Sequence, residues 1–489
     1  MGCSGSSSSF PPASACCRSS RSPGTRSSGG CPRSPPPCAR AAPSPRENDG
    51  VTIPAAPLLG GLLEGRRAGA VAPALDAAPL AVLIELVRTG IARTRPELVV
   101  ASGLSRKIVS QRVEQAIALG LLEEGELAPS GGGRQARTLR FRARSGHVLV
   151  ATLGASEFTA AIADLDGTIV RSSHEDWDVA HGPEETMQRI TSHFAALAAQ
   201  GGAAHPWAVC IGVPGPVDFA TGRLVSPPIM PGWHGFSVRA WMRDIYDAPV
   251  WVDNDVNLMA LGEWARGRAV TGSDALFVKI GTGVGAAFIS RGRLIRGQRG
   301  AAGDIGHTHV TDDPRAQCRC GKTGCLEAVA SGWRLLADLT ARADESAVIT
   351  AAIARRGRVV LGDVAEAVAV GDRLVMELVD DAARTIGGVV ANLVNFANPG
   401  EVIIGGGVLR MGDRIVRIVE EVIRERAAEL VVEGLVVRGS TLDQREGVTG
   451  AALLATESLL TPANLALWVE EARPHAHAAE VQRIAAVFG

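Results

Sequence analysis

Three cysteines and two histidines stand close together in residues 303–328, which read GDIGHTHVTDDPRAQCRCGKTGCLEA. Gly321 and Gly324 permit the tight reversals that bring three thiolates to one point. An upstream imidazole can supply the fourth corner of a tetrahedron. Three sulfurs and one nitrogen form a closed site with no position left for water, which is typical of structural zinc. The predicted ligands are Cys318, Cys320 and Cys325, with either His307 or His309.

A redox centre is the competing interpretation of the same loop. Three is an odd number of cysteines for disulfides, and the chain is expected in a reducing compartment. Three thiolates on Zn²⁺ sum to a charge of −1, which nearby cations balance. Those cations are Arg315, Arg319 and Lys322. The loop therefore favours a metal over a disulfide.

This loop belongs to a chain of 489 residues. A chain of this length is longer than a single hydrophobic core usually stabilises. Two or three domains are expected. Residues 80–150 hold eleven Arg and Lys against six Asp and Glu, a net charge of +5, whereas residues 151–489 carry about −10. A basic module followed by an acidic body indicates a polyanion partner for the first and a small neutral ligand for the second.

Residues 1–70 are predicted to be a disordered extension. The first fifty residues are mostly Ser, Pro, Arg, Gly and Cys, with almost no Leu, Ile or Val to bury. They contain no apolar core of the signal-peptide type, and no uncharged apolar run of the chain reaches membrane-spanning length. We therefore expect a soluble, cytoplasmic protein without a membrane partner.

Residues 75–145 have the pattern of a winged helix-turn-helix. One predicted helix starts at residue 80 and ends at Gly90, and a short helix over 95–101 follows. A longer helix then begins with Ser105 as a good N-cap. Its buried face is formed by Val109, Val113, Ala116 and Ile117. The side chains able to touch base edges and phosphates are Ser105, Arg106, Lys107, Ser110 and Gln111.

Residues 123–144 continue as a hairpin pattern with a glycine-rich tip, in which the alternating TLRFR suits a strand. Arg134 and Arg137 are placed to reach the DNA backbone or the minor groove as a wing. The alternative is a three-helix bundle whose charges only solvate one face. Basic residues at both the helix start and the hairpin tip favour DNA binding.

The body over residues 147–460 repeats apolar strands that end in glycine-rich turns and lead into helical segments. This pattern predicts an α/β architecture with ligands at the strand ends. Its motifs include NDVN at 254–257, GTGVG at 281–285 and GGG at 405–407. Residues 461–489 have a helical pattern, and no function is assigned to this C-terminal extension.

The body resembles the ROK family of repressors, open reading frames and sugar kinases. The most specific motif is the cysteine loop, close to the family's G-E-I-G-H followed by C-x-C-G-x-x-G-C-x-E, and it favours His307 over His309 as the ligand. The resemblance implies an actin-like or hexokinase-like ATPase fold of two α/β lobes around a cleft. With the preceding winged helix-turn-helix, the chain is similar to repressors of the xylose or N-acetylglucosamine type.

The resemblance also implies a sugar site. The matching residues are Asn254, Asp255, Asp304, His307 and Glu327. Carboxylates suit vicinal hydroxyls because each can accept two hydrogen bonds. In kinase members the residue matching Asp255 is the general base, and in a sensor it holds the hydroxyl as a vestigial base. Asp304 departs from the usual Glu, and DND at 253–255 can alternatively serve only as a helix cap.

The phosphate loop of the family reads D-x-G-G-T, and here it departs from that pattern. Thr152 replaces the aspartate that organises Mg²⁺, and Ala155 adds a methyl group where the backbone approaches phosphate. Phosphoryl transfer depends on the metal and on positioning, so this loss argues against an enzyme that uses ATP and Mg²⁺.

The sequence therefore predicts a sugar-responsive transcription regulator, most simply a repressor of carbohydrate genes. Its partners would be operator DNA and a small sugar or sugar-phosphate effector. A homodimer would place two winged helices on a pseudo-palindrome, with half-sites about one or two DNA turns apart. The alternatives are an active sugar kinase with an accessory DNA-binding module and a binding protein that recruits a phosphotransferase component.

Overall fold

The computed structural model describes residues 72–129, 135–201, 205–267, 274–470 and 473–481. The predicted extension over residues 1–70 and the wing residue Arg134 lie outside this part of the chain.

The N-terminal module contains three helices and an antiparallel two-stranded hairpin, which fits the predicted winged helix-turn-helix. The elements are α1 (Ala72–Arg88), α2 (Arg95–Ser102), α3 (Arg106–Ala118), β1 (Leu122–Leu127) and β2 (Arg137–Phe141). Ser105 caps α3 by accepting a hydrogen bond from the Ile108 backbone N–H, and Gly103 takes the left-handed conformation that ends α2. Helix α1 begins at Ala72 and runs through Pro79, so it starts earlier than the residue 80 that the apolar spacing predicted.

The first lobe of the body is built on a five-stranded mixed sheet. Its strands are β3 (His147–Leu153), β4 (Glu157–Asp164), β5 (Ile169–Asp176), β6 (Ala208–Val213) and β9 (Val250–Asn254), and a small hairpin of β7 (Val217–Asp218) and β8 (Arg223–Leu224) lies beside them. The spatial order is β5-β4-β3-β6-β9. Strand β6 is apolar along its whole length, and β3 is apolar except at His147 and Thr152, because this sheet is covered on both faces.

The second lobe repeats the same arrangement. Its strands are β10 (Ala275–Ile280), β11 (Val284–Ser290), β12 (Arg293–Ile295), β13 (Glu401–Gly405) and β14 (Val436–Gly439). The spatial order is β12-β11-β10-β13-β14, so both sheets follow the order third, second, first, fourth and fifth strand. This duplication confirms the predicted actin-like or hexokinase-like fold of two α/β lobes.

The helices of the body cover these sheets. They are α4 (Pro183–Ala199), α5 (Val238–Ile245), α6 (Asp255–Arg266), α7 (Glu327–Ala330), α8 (Gly332–Ala341), α9 (Ala347–Arg356), α10 (Leu361–Ala369), α11 (Arg373–Ala397), α12 (Arg414–Arg426), α13 (Glu429–Val432), α14 (Glu446–Leu460) and α15 (Pro462–Trp468). Among the residues that the structure describes, every helix is too short or too polar to cross a bilayer.

Helix α15 packs against α1 of the N-terminal module. Trp468 is fully buried, donates its indole N–H to the Leu459 carbonyl at 3.1 Å, and meets Trp207 edge to face at 5.6 Å between ring centroids. Leu465 and Val481 belong to the same apolar cluster as the buried face of α1. The C-terminal segment, for which the sequence suggested no role, therefore completes the core shared by the module and the first lobe.

We expect Trp468→Ala to lower the free energy of unfolding by about 3–5 kcal/mol, because the substitution leaves a cavity and removes the indole hydrogen bond. Urea unfolding followed by circular dichroism measures the change. Phe396→Ala is the matched control, since that aromatic side chain is 90% exposed. Equal stability of the Trp468 and Phe396 variants would contradict the packing role of α15.

Candidate functional site

A cleft of about 700 Å³ lies between the two lobes, and all five predicted sugar-binding side chains line it. Asn254 and Asp255 enter from the first lobe at the end of β9, whereas Asp304, His307 and Glu327 enter from the second. The glycine-rich turn after β10 and the turn after β13 border the same space. Its volume falls within the range of small-molecule sites in proteins.

Asn254 is the N-cap of α6 and also faces the cleft. Its side-chain oxygen accepts the Val256 backbone N–H at 2.9 Å, and its amide donates to the Gly215 carbonyl at 3.1 Å. The cap interpretation and a position in the cleft are therefore both compatible with the structure. Asp253, by contrast, is buried, and its carboxylate accepts hydrogen bonds from Arg296.

Asp255 forms an ion pair that the sequence did not predict. Its Oδ2 accepts a hydrogen bond from Lys279 Nζ, and both residues line the cleft. The Lys279 stem runs beside the glycine turns: a methyl group added at Gly406 would lie 3.2 Å from its Cγ. A lysine inside the otherwise apolar strand β10, directly before GTGVG, was the available signal. The residue that matches the kinase base is thus already bonded to an ammonium group.

The loop before the cysteines is pressed against β11. Gly303 has φ +91°, and a methyl group there would lie 1.8 Å from the Ala286 carbonyl oxygen, so only glycine fits. Glu327 Oε1 accepts the Val284 backbone N–H at 2.9 Å. Burial raises the pKa of Glu327, while this backbone hydrogen bond and His307 oppose the rise. The loop therefore holds one carboxylate fixed at the cleft wall.

The four predicted metal ligands come together at the outer side of this loop. The potential ligand atoms of His307, Cys318, Cys320 and Cys325 all lie within 4.8 Å of one another. His307 Nδ1 is 3.6 Å from Cys318 Sγ, and the sulfurs of Cys320 and Cys325 are 3.8 Å apart. A zinc tetrahedron with these ligands has edges of roughly 3.5–3.8 Å. The donor set and the spacing both fit zinc.

The remaining features of the loop agree with a cation at this point. Burial raises the pKa of the Cys318 thiol to about 12, so its thiolate form needs a nearby positive charge such as a metal ion. His309, the alternative ligand, lies outside the cluster, and its Nε2 is 3.4 Å from Asp312 Oδ1. With Nδ1 facing Cys318, His307 Nε2 lies 4.0 Å from Asp304 Oδ1.

The turn between β3 and β4 is the stretch that the resemblance matches to the phosphate loop of the family. Thr152 packs its methyl group toward Gly212 and Gly447, where added methyl groups would lie 3.0 and 3.1 Å from it. Ala155 follows in the turn and lines the cleft. Position 152 thus contributes a methyl group and a hydroxyl to packing, and it offers no carboxylate to a metal ion.

The predicted DNA-contacting side chains of α3 lie on its exposed face. The exposed residues are Ser105, Arg106, Lys107, Ser110 and Gln111. Arg137 is also exposed, but its Nε lies 3.6 Å from Glu124 Oε2, so an acidic neighbour on β1 partly offsets its charge. Val109 and Val113 are buried on the opposite face of α3, as the periodicity predicted.

Two α/β lobes of identical strand order around one cleft define an actin-like or hexokinase-like protein. The model of the ROK family matches residues 149–458, and the chain therefore belongs to the ROK family. This confirms the resemblance carried by the cysteine loop.

The similar proteins include both enzymes and repressors. A glucokinase of Halalkalibacterium halodurans is 30% identical over 62% of this chain and 93% of its own length. A xylose repressor of Caldicellulosiruptor bescii is 27% identical over 73% of this chain and 90% of its own length. A crystal structure of a ROK family transcriptional regulator, a homolog of the E. coli MLC protein, has a TM-score of 0.67 at 24% identity and covers 81% of this chain and 100% of that one. Family membership alone does not decide between phosphorylating a sugar and sensing it.

Purified protein should carry about one zinc ion per chain, released when the thiols are modified and measured with a colorimetric chelator. Cys325→Ser and His307→Ala should lose the metal, because each removes one of four ligands. His309→Ala is the matched control in the same loop and should retain it. Zinc retention by the His307 variant together with loss by the His309 variant would contradict the ligand assignment.

Proposed function

We propose that this protein is a sugar-responsive, DNA-binding transcription regulator, a repressor of carbohydrate genes that binds its sugar without phosphorylating it. The observation that carries the proposal is the ion pair between Asp255 and Lys279 in the wall of the cleft. It makes a catalytic role of the carboxylate difficult while leaving the surrounding hydroxyl-binding groups in place.

A sugar kinase needs a free carboxylate to accept a proton from the attacking hydroxyl. Here Lys279 Nζ occupies Oδ2 of Asp255, and Oδ1 shares the Val256 backbone N–H with Asn254 Oδ1, each at 2.9 Å. Both oxygens of the carboxylate are therefore already hydrogen-bonded. A hydroxyl can still donate to a remaining lone pair, which is sufficient for binding.

Phosphoryl transfer also needs a metal ion held against the phosphates. Thr152 offers no carboxylate for that purpose, and Ala155 adds a methyl group to the loop that would approach the phosphates. The Lys279 stem lies along Gly281 and Gly406, on the glycine turns that border the cleft. Three separate changes thus act against the same step, and none removes a predicted sugar ligand.

The zinc site supports binding by fixing the loop that carries Asp304, His307 and Glu327. A bound Zn²⁺ would supply only structural restraint there, since four protein ligands leave no open position. If His307 holds the metal through Nδ1, the atom that faces Cys318, its ring proton would lie on Nε2 and could be donated to a sugar oxygen. The effector class is a small sugar or sugar phosphate.

The N-terminal module supplies the DNA-binding surface in this proposal. Exposed Arg106 and Lys107 at the start of α3 would contact phosphates or base edges in the major groove. A homodimer would present two such helices to a pseudo-palindromic operator. Sugar binding that favours one arrangement of the lobes over another would shift the affinity for that operator.

An active sugar kinase with an accessory DNA-binding module is the second candidate. The 30% identity with a glucokinase and the retained GTGVG turn favour it. Both candidate functions require sugar binding, and only the kinase would phosphorylate the bound sugar.

Sugar binding should raise the melting temperature without turnover. At a hundredfold excess over its Kd, the correct sugar stabilises the protein by about 2.7 kcal/mol, and D-glucose, D-xylose and N-acetylglucosamine are the first probes. Asp304→Ala should abolish the shift, whereas Asp312→Ala, fully exposed in the same loop, should preserve it. ADP production from ATP and Mg²⁺ with any of these sugars would overturn the sensor in favour of the kinase.

DNA binding should depend on the start of α3. Arg106→Ala and Lys107→Ala should each weaken binding to the upstream intergenic DNA and reduce the slope of log Kd against log salt by about one, because each removes one phosphate contact. Fluorescence anisotropy at several salt concentrations measures both quantities. Arg342→Ala, an exposed arginine of the second lobe, is the control. Unchanged salt slopes in both α3 variants would place the DNA surface elsewhere.

A further inference from the structure

An ionic cluster with a buried centre joins the N-terminal module to the body of the protein. We use this name for Glu85, Arg88, Asp166, Arg266 and Glu457. Arg88, near the end of α1, is only 3% exposed, and its guanidinium donates to Glu85 Oε2 at 2.7 and 2.9 Å. It also donates to Glu457 on α14 and lies 3.6 Å from Asp166 Oδ1. One side chain of the module thus contacts two separate elements of the body.

The centre of the cluster, Glu85 and Arg88, is sensitive to small displacements because both side chains are buried. Burial raises the pKa of Glu85, and its Oε1 has no hydrogen-bond partner among the described residues. Burial by itself would lower the pKa of Arg88, but Glu457 and Glu85 outweigh it and raise the pKa, so the guanidinium stays charged. A buried carboxylate that loses its cation is strongly destabilised. Glu85 therefore depends on the position of Arg88.

Within the cluster, Asp166 of the first lobe contacts Arg266 on α6, the helix that packs on the second lobe. Asp166 lies in the turn between β4 and β5 of the first lobe, and its carboxylate is 3.4 Å from Arg266, the last residue of α6. Arg266 also donates to the Asp166 backbone carbonyl. The first residue of α6 is Asp255 in the cleft. A single helix of about 18 Å thus runs from the sugar site to the cluster.

Helix α6 is fixed to the second lobe by a different set of bonds. Glu263 is fully buried and accepts hydrogen bonds from Arg438 at 2.6 Å and from the Thr441 backbone N–H at 3.0 Å, both at the end of β14. Arg266 therefore ends a helix that is bonded to the second lobe and packs closely on α14, whereas Asp166 and Glu457 belong to elements packed in the first. The contact between Arg266 and Asp166 spans the two lobes, so a change in their relative position must alter it.

We propose that Arg88 is a positioning residue that couples the occupancy of the sugar cleft to the orientation of the DNA-binding module. The contacts that connect the two run from Asp255 along α6 to Arg266, and from there through Asp166 to Arg88. This inference rests on the proposed regulatory function and names the residues that would transmit it. A ligand that repositions α6 shifts Arg266 against Asp166, and Asp166 shares its carboxylate with Arg88. The orientation of the module would change with it, because Arg88 belongs to α1 of the module and its side chain is buried against the body.

The experiment compares DNA affinity with and without sugar in the full-length protein. Anisotropy gives the Kd for upstream intergenic DNA in the absence and presence of saturating D-glucose, D-xylose or N-acetylglucosamine, and the ratio of the two values is the coupling factor. Calorimetry gives the sugar Kd without DNA. The variants are Arg88→Met, which keeps the aliphatic stem, Arg88→Lys, which keeps the charge, and Asp166→Asn in the partly exposed turn. Arg342→Met, which removes an exposed pair with Glu345, is the control.

A coupling factor in the usual allosteric range, about 5–150 for the wild type, should fall below about 2 in Arg88→Met and Asp166→Asn. The sugar Kd measured without DNA should change less than about threefold, and Arg88→Lys should recover part of the factor. A purely structural role would lower the melting temperature and leave the factor unchanged.

The two proposals fail in different ways. A wild-type coupling factor of one with every sugar overturns the proposed regulation and the coupling with it. A wild-type factor above one that persists in Asp166→Asn overturns the coupling alone, even where Arg88→Met does not fold. Loss of the factor in Arg342→Met as well would also overturn it, because the effect would then not be specific to the cluster.

Discussion

The close contact between α6 and α14 is the constraint on which the rest of the structure depends. A methyl group added at Gly450 would lie 1.8 Å from the Leu258 carbonyl oxygen, and one added at Gly262 would lie 2.1 Å from the Glu446 carbonyl oxygen. The two backbones therefore touch. Helix α6 follows a strand of the first lobe and packs on β10 and β11 of the second, whereas α14 follows a strand of the second and packs on β3 and β6 of the first. Each lobe covers the sheet of the other.

This exchange explains why so many charges are buried between the lobes. Glu263 on α6 and Glu401 on β13 share Arg438, and Ser440 donates to Glu263 at 2.9 Å. Because these partners neutralise and hydrogen-bond the buried carboxylates, the carboxylates hold α6 on the second lobe. Removing Arg438 would leave two of them without a compensating charge. The bonds at the middle of α6 are thus many and buried, while its ends are held by fewer contacts, to Lys279 in the cleft and to Asp166.

The sequence predicted what depends on local spacing. All four potential metal ligands fall within nineteen residues, and Ser105 shows its capping role through its immediate neighbours. The strand and helix alternation of the body was likewise readable, because each turn carries its own glycines. The ion pair of Lys279 with Asp255 and the contact of Arg88 with Glu457 were not predictable, since they join residues 24 and 369 positions apart. Their partners are set by the tertiary fold, which periodicity does not specify.

Sensing and phosphorylation place different demands on this one fold, which is why the proposed loss of one leaves the other intact. In the proposed sensor, sugar binding would draw on Asn254 and on the metal-site loop of the second lobe, whose geometry is held by backbone contacts such as that of Glu327 with Val284. Transfer of a phosphoryl group draws on the turn after β3 and on a free carboxylate at 255. Lys279 comes from a third element, β10, and its ammonium occupies the carboxylate without displacing any predicted sugar ligand. In the proposed function, a lysine there would remove the base and retain the pocket, and the binding energy that a kinase would use in its transition state would be available to move α6.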